Sequence, residues 1–363
     1  MSGKQLSRLP TRYRRVELSP DGPVLMACSL PDLAGQNVVV IRPLMAGICR
    51  SDIKEVQGVR PLRRDFGHEV VGTVEWSGES VDLKRGDLVS LDPNVPINRT
   101  PAFGELLVAS GNPTELALAF PKVRRTISLK KLVMCEPLAC ARHCVSNLYR
   151  HLAVSELTGL RVGIVGAGNA GTFIAMILKY LGAKITLFNR GFDRLGFLRR
   201  HRLFAADELE VLGSSRMNSF DAVVPTTSFL YLDVLDFALK IVKPGGLLLL
   251  YGGTSKSSAL PGIALEIDSI RRCESSLPVS WRGKSVRIAG TYGALRSDFS
   301  AVLDYLDRDP AAFPVERMIT QEVALEDLPA IFRSLTAQEA RYIGKVIVIL
   351  DGKENQLERK STR

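Results

Sequence analysis

Side chains with the chemistry of metal ligands stand close together near the start of this chain. Cys49 lies in the segment Gly-Ile-Cys-Arg-Ser-Asp, and His68 and Glu69 follow within the next twenty residues. A thiolate and an imidazole are typical zinc ligands, and a catalytic zinc keeps one coordination position open. Glu136, in the segment Cys-Glu-Pro-Leu-Ala, offers a carboxylate that completes such a shell. The alternative is that Cys49 is a buried thiol and His68 a hydrogen-bonded core residue.

A glycine motif in the middle of the chain predicts a nucleotide site. Gly166, Gly168 and Gly171 form Gly-Ala-Gly-Asn-Ala-Gly between an apolar, strand-like run and a segment with helical spacing. In dinucleotide folds the first glycine permits a tight turn, the second lets the backbone approach a pyrophosphate, and the third lets the helix pack on the strand. The helix then starts with Asn169 and Ala170, where unpaired N–H groups face the phosphates. The alternative is a strand-to-helix turn that binds nothing.

The end of the following strand indicates which dinucleotide binds. An NAD site places an acidic residue about 20 residues after the glycines, where it accepts a hydrogen bond from the ribose 2′-OH. Here the strand ends in Phe188, Asn189 and Arg190, and no acid stands there. Asn189 does not repel a 2′-phosphate, and Arg190 can pair with it through two hydrogen bonds. The sequence therefore favours NADP, with NAD as the alternative. Arg194 and Arg199 are either helpers or solvated helix surface.

The segments that must position these residues show two different patterns of predicted secondary structure. Over residues 37–89, short apolar runs alternate with turn signals, which is typical of an antiparallel, barrel-like β domain. From about Gly159, apolar strands alternate with helical segments, which predicts parallel βαβ units in a doubly wound sheet. Near its end the sequence returns to the strand pattern of the first part. We therefore expect an α/β protein with a β domain of residues 1–157 and 295–363 and a nucleotide domain of residues 158–294.

Composition and charge narrow the class of protein. With 363 residues, of which 46% are hydrophobic and 24% charged, the chain has the composition of a globular protein rather than a disordered or fibrous one. Its net charge of +10 is spread over scattered pairs such as Arg124-Arg125. Because no basic stripe is interleaved with aromatic residues, we expect no nucleic-acid partner. The charge instead fits an anionic cofactor or substrate.

Neither export nor membrane insertion is expected. The basic start, residues 1–15, lacks the apolar run of a secretory signal, and the glycine motif explains the apolar stretch 162–183 better than a membrane span does. The six cysteines form no Cys-x-x-Cys pair, which is typical of reduced thiols. We therefore expect a cytoplasmic protein without a membrane partner.

The segments around Cys49, His68 and Glu136, followed by the glycine motif, resemble the zinc-dependent medium-chain dehydrogenase/reductase family in order and spacing. The resemblance covers nearly the whole chain, and the family includes alcohol, sorbitol and threonine dehydrogenases. It implies that the β domain is a GroES-like catalytic domain and that the nucleotide domain is a Rossmann domain. It also implies a zinc bound by Cys49, His68 and Glu136, with Glu69 as an alternate ligand or a carboxylate beside the metal.

The same resemblance implies roles for the segment that begins at Arg50. Arg50 would meet the cofactor pyrophosphate. Ser51 would hydrogen-bond the substrate alcohol and pass its proton outward, while Asp52 would orient the imidazole of His68. In some relatives the proton relay ends in a histidine three residues after the serine, whereas Lys54 stands at that position here.

The sequence also departs from the family in the stretch after the Gly-His-Glu segment. Relatives with a structural zinc carry four closely spaced cysteines there, and residues 91–119 contain none. We therefore expect one catalytic zinc per chain and no structural zinc. Residues 112–131 lack the usual family pattern, so the substrate cannot be carried over from known relatives.

A second group of potential ligands surrounds Glu136. Cys135, Cys140, His143 and Cys144 are close in sequence, and a helix would place Cys140 and Cys144 on one face. A second metal site is one interpretation. The commoner meaning of such cysteines is apolar packing within a helix, which we favour.

These features together predict an oxidoreductase. We expect it to transfer a hydride between NADP(H) and a secondary alcohol, polyol or amino-alcohol, or the matching ketone or aldehyde. Two alternatives stay open: a zinc-free reductase of the same superfamily that acts on an activated C=C bond, and a non-catalytic nucleotide-binding descendant of the fold. The expected partner is a small-molecule alcohol or carbonyl compound, and the resemblance implies a homodimer or homotetramer.

Overall fold

The computed structural model describes residues 9–33, 37–59, 65–213, 216–337 and 343–350. Contacts divide the chain into a first unit, residues 1–136 and 319–363, and a second unit, residues 137–318. The functional boundaries predicted from the sequence, at 157/158 and 294/295, stay a prediction, because contacts and function divide a chain by different criteria.

The secondary structure is numbered here in chain order. The strands are β1 Arg12–Ser19, β2 Gly22–Ser29, β3 Val38–Gly47, β4 Glu69–Ser77, β5 Leu88–Ser90, β6 Asn98–Arg99, β7 Leu107–Ser110, β8 Arg161–Val165, β9 Lys184–Asn189, β10 Leu209–Val211, β11 Phe220–Pro225, β12 Val242–Leu250, β13 Ala259–Leu260, β14 Ile263–Glu266, β15 Ser276–Trp281, β16 Lys284–Gly290, β17 Ile319–Ala324 and β18 Lys345–Ile349. The α-helices are α1 Arg50–Val56, α2 Pro113–Ala119, α3 Leu129–Leu132, α4 Cys135–Leu152, α5 Asn169–Tyr180, α6 Phe192–Arg200, α7 Leu232–Ile241, α8 Asp268–Arg272, α9 Arg296–Arg308 and α10 Leu328–Thr336.

The first unit is built on a sheet in which β17, β18, β3, β4 and β5 follow one another, while β7 pairs with β3 and β6. The predicted antiparallel pairing holds for every pair of this sheet in the described residues except β17 and β18, which run parallel. That pair lies outside residues 37–89, to which the prediction applies. It is parallel because α10 lies between the two strands in the chain, and a strand that returns through a helical crossover runs parallel to the first. β1 and β2 form a separate antiparallel ribbon.

The centre of this sheet is β3, whose residues are almost all buried. Its neighbours are β4, β7 and β18. The start of β4 and the strand β18 lie beside its last residues, whereas β7 pairs with its first residues. Beside it, the rings of Phe66, Phe103 and Phe332 contact one another with centroids 5.1–5.8 Å apart. Arg99 also donates a hydrogen bond to the carbonyl oxygen of Gly67 at 2.8 Å. Aromatic packing and this bond hold the short segment that presents His68.

The second unit contains the predicted doubly wound sheet. Its strand order is β10-β9-β8-β11-β12-β16-β15, with every pair parallel except β15 and β16. The antiparallel edge strand was not predicted. It arises because Arg282 and Gly283, both with positive φ (49° and 78°), form the two-residue turn that joins the strands of a tight hairpin. The strand order reverses between β8 and β11, and ligands of such sheets bind at that switch point.

The apolar stretch 162–183 forms β8 and α5 with the glycine turn between them, as the glycine spacing predicts. Four of the five residues of β8 are buried, which suits a strand covered on both faces. No helix in the described part of the chain is long and apolar enough to cross a membrane.

Candidate functional site

The structure brings three of the predicted metal-binding residues together in the first unit. One ligand atom each from Cys49, His68 and Glu69 lies within 4.8 Å of the others. Cys49 immediately precedes α1, while His68 and Glu69 stand where β4 begins. A tetrahedral zinc with ligands at ~2.0–2.3 Å places its ligand atoms roughly 3.5 Å apart, so small side-chain movements close a shell here. A thiolate, an imidazole and a carboxylate form a donor set that fits zinc.

Glu136 does not belong to this group. It is buried in the first turn of α4. Among the described residues, the group of potential ligands within 4.8 Å contains Cys49, His68 and Glu69. The structure therefore brings Glu69, rather than Glu136, to the thiol and the imidazole, and the predicted ligand role of Glu136 stays a prediction.

Asp52 connects both metal-ligand candidates. Its side chain is fully buried, and its Oδ2 accepts a hydrogen bond from the backbone N–H of Cys49 at 2.8 Å. Its Oδ1 lies 3.3 Å from Nδ1 of His68, which leaves Nε2 as the ring atom for a metal. Ser51 Oγ lies 3.4 Å from that Nε2. This geometry fits the positioning role predicted for Asp52 and places the Ser51 hydroxyl at the candidate centre.

Two opposing effects act on the imidazole of His68. Burial disfavours the charged ring, but the Asp52 carboxylate and the Cys49 sulfur outweigh burial and hold the pKa of His68 well above its ordinary value. A metal ligand must be the neutral imidazole, so binding of a metal displaces a proton from this ring.

One of the metal-ligand candidates, Glu69, also forms a buried ion pair that the sequence alone does not predict. Lys345 Nζ contacts Oε2 of Glu69, and the two side chains are 2% and 1% exposed. Gly47 of β3 pairs with Glu69 of β4 and with Ile347 of β18, so it lies between the partners. A Cβ atom on Gly47 would collide with the Glu69 carboxylate and lie 2.9 Å from Cε of Lys345. Gly47 therefore makes room for the pair.

In the second unit, the three glycines adopt the geometry that the motif predicts. Gly166 has a left-handed backbone with φ of 119°, and Gly168 caps the N-terminus of α5. A Cβ atom on Gly171 would overlap the carbonyl oxygen of Gly166, so helix and turn approach as closely as a glycine allows. Thr226, which follows β11, fixes the same carbonyl by donating a hydrogen bond from Oγ1 at 2.7 Å.

The residues that follow β9 lie at a cavity of about 240 Å³. Asn189 accepts a hydrogen bond from the N–H of Ala167 at 3.3 Å, which ties it to the glycine turn. Arg190 is largely exposed, and its Nη2 donates to Oδ2 of Asp233 at 2.6 Å. The residues that line the cavity are Gly166, Asn189, Arg190, Leu212, Thr227, Tyr231 and Val234.

The further predicted cofactor residues lie on α5, α6 and α1. Asn169 and Ala170 are the first two residues of α5. Arg194 of α6 lies against the turn, with Nη1 3.0 Å from the position of a Cβ atom on Gly168. Arg50 is exposed in the first turn of α1, and its predicted contact with a pyrophosphate stays a prediction.

The cysteines of α4 have the properties of packed side chains. Cys135 and Cys144 are buried, and burial raises the pKa of Cys135 to about 12 and that of Cys144 further still. Thiolates are therefore strongly disfavoured at both positions. This agrees with the packing interpretation of these residues over a second metal site.

His143 of the same helix has a separate set of partners. Its Nδ1 lies 2.8 Å from Asp298 and its Nε2 lies 2.7 Å from Glu274. A ring that donates from both nitrogens is protonated. Burial opposes this charge, but the hydrogen bonds to Asp298 and Glu274 outweigh burial and raise the pKa of His143. Glu274 also accepts from Asn147 and from the N–H of Tyr292, so this cluster ties α4 to α9 and to the segment that follows α8.

We expect His143→Gln to destabilise the protein by about 2 kcal/mol in acid and by less in alkali. A raised folded-state pKa contributes stability that is fully present below the unfolded value, about 6.5, and is lost as the pH rises through the folded value. Urea unfolding of both proteins at several pH values measures this difference. His151→Gln is the control on the same helix, because the pKa of His151 is lowered by burial and Arg150. A deficit of His143→Gln that grows with pH would contradict the assignment.

Comparisons with known proteins agree with this architecture. The family described as Alcohol dehydrogenase GroES-like domain matches residues 35–106. Glucose 1-dehydrogenase of Thermoproteus tenax is 26% identical over 333 residues, which cover 80% of this chain and 87% of that protein. D-xylulose reductase of Saccharomyces cerevisiae is 28% identical over 207 residues, which cover 50% of this chain and 56% of that protein.

A solved structure shows the same fold along nearly the whole chain. A protein of Sinorhizobium meliloti, described as a zinc-binding dehydrogenase and solved with NADP bound, superposes with a TM-score of 0.71 at 18% identity, covering 94% of this chain and 100% of that one. The match to the GroES-like domain, the named dehydrogenase relatives and the shared two-part fold all lead to one assignment. These similarities support the assignment of the chain to the medium-chain dehydrogenase/reductase family of oxidoreductases.

Proposed function

We propose that this protein is a zinc-dependent dehydrogenase that transfers a hydride between NADP(H) and a secondary alcohol, polyol or amino-alcohol, or the matching ketone or aldehyde. The convergence of Cys49, His68 and Glu69 is the observation that carries this proposal. The names of two relatives, glucose 1-dehydrogenase and D-xylulose reductase, support a polyol or sugar as the substrate class.

The first unit would hold one zinc per chain. Cys49 and His68 would be ligands, with Glu69 or Glu136 as the carboxylate that completes the shell. Zinc bound there would polarise the oxygen of an alcohol or carbonyl substrate and lower the pKa of the alcohol. Because residues 91–119 contain no cysteine, we propose no structural zinc.

The side chains of α1 would then position ligand and substrate. Asp52 would accept a hydrogen bond from the Nδ1–H of His68, which would fix the tautomer that presents Nε2. The Ser51 hydroxyl would exchange a proton with the substrate hydroxyl at Oγ. Lys54 lies three residues further along the helix, on the same face as Ser51, where some relatives carry the histidine of the outer relay. Its ammonium group donates but does not accept a proton, so the proposed exchange ends at Ser51 and solvent.

The second unit would bind the dinucleotide at the glycine turn. The N-terminus of α5 and its first N–H groups would meet the phosphates, as helix N-termini commonly do. Nicotinamide supplies the hydride chemistry when bound. Asn189 and Arg190 line the cavity at the end of β9, where dinucleotide folds read the 2′ position of the ribose. This arrangement favours NADP, with NAD as the second dinucleotide.

Metal content and hydride transfer test the function together. Purified protein is washed with a weak chelator, zinc is counted per chain, and NADPH oxidation is followed with a panel of aldehydes, ketones and sugars. One zinc per chain together with turnover of a carbonyl compound is the expected result. Turnover of an activated C=C bond by folded, zinc-free protein would indicate the reductase alternative, and folded protein that binds dinucleotide without turnover would indicate the non-catalytic one.

Arg190→Asp is expected to shift the ratio of kcat/KM for NADPH over NADH by about 10- to 100-fold toward NADH. The substitution removes a bidentate partner of the 2′-phosphate and adds a repelling charge. Arg308→Asp, the same change of charge at an exposed arginine on α9, is the control. An unchanged ratio would mean that Arg190 does not touch the 2′-phosphate.

Self-association is the remaining part of the proposal. We propose a homodimer or homotetramer, formed through the edge strand β15 of the second unit's sheet. Light scattering tests this, and a monomer of 39.8 kDa would contradict it.

A further inference from the structure

A carboxylate already engages the arginine that the sequence assigns to the 2′-phosphate. Arg190 follows β9, and Asp233 belongs to the first turn of α7 in the same unit. Their side chains are joined by the hydrogen bond of 2.6 Å from Nη2 to Oδ2. Tyr231 and Val234, which lie within two residues of Asp233 in sequence, line the same cavity as Asn189 and Arg190. The ion pair therefore stands at the rim of the cavity, where a ribose 2′ group is read.

We propose that Asp233 is a specificity-determining residue, which competes with the 2′-phosphate of NADP(H) for Arg190 and so narrows the preference for NADP(H) over NAD(H). The inference rests on the proposed function, because it requires a dinucleotide at the glycine turn. It adds a residue on α7 to a recognition site that the sequence places at the end of β9 and the start of α6.

The competition follows from the exposure of the two partners. The side chains of Arg190 and Asp233 are 72% and 63% exposed, and an exposed ion pair is weak because water and salt screen it. A phosphate carries more charge than a carboxylate and accepts two parallel bonds from a guanidinium, so it can displace Asp233. The displaced carboxylate stays near the phosphate and repels it. NAD(H) has no phosphate at this position and leaves the pair intact.

Asp233 places a negative charge near the end of β9 from another element, and it acts through Arg190 rather than by accepting from the ribose. NAD-binding folds usually carry an acid on the second strand of the sheet, where it accepts from the ribose. Here that position holds Asn189, and the carboxylate reaches the site from α7. Arg194 lies at the glycine turn instead, where a pyrophosphate common to both dinucleotides would lie, so it does not discriminate between them.

Direct binding measurements test the proposal without requiring turnover. Fluorescence titration with NADPH and with NADH gives both dissociation constants for the wild type, for Asp233→Asn and for Asp236→Asn. We expect Asp233→Asn to tighten NADPH about 3- to 10-fold and to change NADH by less than about twofold. The gain should shrink between about 0.05 M and 0.5 M salt, because the Debye length shortens.

Asp236→Asn is the matched control. Asp236 lies on the same helix and loses the same charge, but it pairs with Lys240 at 2.7 Å and Arg282 at 3.2 Å. We expect it to change neither dissociation constant by more than about twofold. An equal tightening of NADPH in both variants would overturn the proposal, because a general charge effect would then explain it.

Other outcomes separate this proposal from the proposed function. Unchanged NADPH affinity in Asp233→Asn, with a wild type that binds NADPH, would overturn the role of Asp233 and leave the function intact. A loss of NADH affinity in that variant would overturn it too, because Asp233 would then act as the ribose acceptor. A folded wild type that binds neither dinucleotide would overturn both.

Discussion

Cys49→Ser is expected to remove zinc from the protein and to lower hydride transfer about 1000-fold or more. The thiolate is the softest ligand of the group formed with His68 and Glu69, and a serine hydroxyl is a poor replacement at neutral pH. Polarisation of the substrate by the metal contributes several kcal/mol, and each 1.36 kcal/mol is a tenfold change in rate. Metal analysis and NADPH oxidation with the best carbonyl substrate of the panel measure the two losses.

The control for this substitution is Cys273→Ser, which removes an exposed thiol from the second unit. It should keep one zinc per chain and full activity. NADPH binding to Cys49→Ser should also stay intact, because the glycine turn belongs to the second unit. A folded Cys49→Ser protein that keeps its zinc would show that the metal lies elsewhere. A variant that loses zinc but keeps its activity would remove the metal from the mechanism.

The sequence predicts those features that depend on short segments. Gly166, Gly168 and Gly171 are spaced by the requirements of a single turn, so local chemistry determines their arrangement, and the structure shows it. The alternation of strands and helices likewise predicts the parallel sheet. Residue type and spacing predict that Cys49 and His68 belong to one metal site. The strands β3 and β4, which are hydrogen-bonded neighbours, bring the two residues together.

The features that the sequence could not predict join distant segments. Arg190 and Asp233 are separated by 43 residues, and His143 and Asp298 by 155. Their proximity depends on which strands are neighbours and on where each helix lies, and no local pattern records either. One signal was present for the pair of Lys345 and Glu69, because Lys345 opens an otherwise apolar strand. A charge at such a position indicates a buried partner, although it does not identify that partner.

The second large effect is expected on stability, from loss of the buried ion pair between Lys345 and Glu69. Lys345→Met is expected to lower the free energy of unfolding of the first unit by about 3–5 kcal/mol, because it leaves the Glu69 carboxylate buried without its counter-charge. The charge cannot move to water, since the carboxylate lies against Gly47 between β4 and β18. Urea unfolding followed by circular dichroism measures the loss. Lys122→Met is the control, because Lys122 is 48% exposed in its ion pair with Asp87 and should cost less than about 1 kcal/mol.

The double variant Glu69→Gln/Lys345→Met separates the pair from its parts. Removing both charges should recover much of the stability lost in Lys345→Met, because a buried ion pair costs its desolvation energy and a neutral pair does not. Full additivity of the two single losses would contradict a direct interaction between Glu69 and Lys345. Equal losses in Lys345→Met and Lys122→Met would contradict the buried pair as well. Glu69 also stands beside Cys49 and His68. A double variant that recovers stability but binds no zinc would show that the Glu69 carboxylate serves the metal as well as the fold.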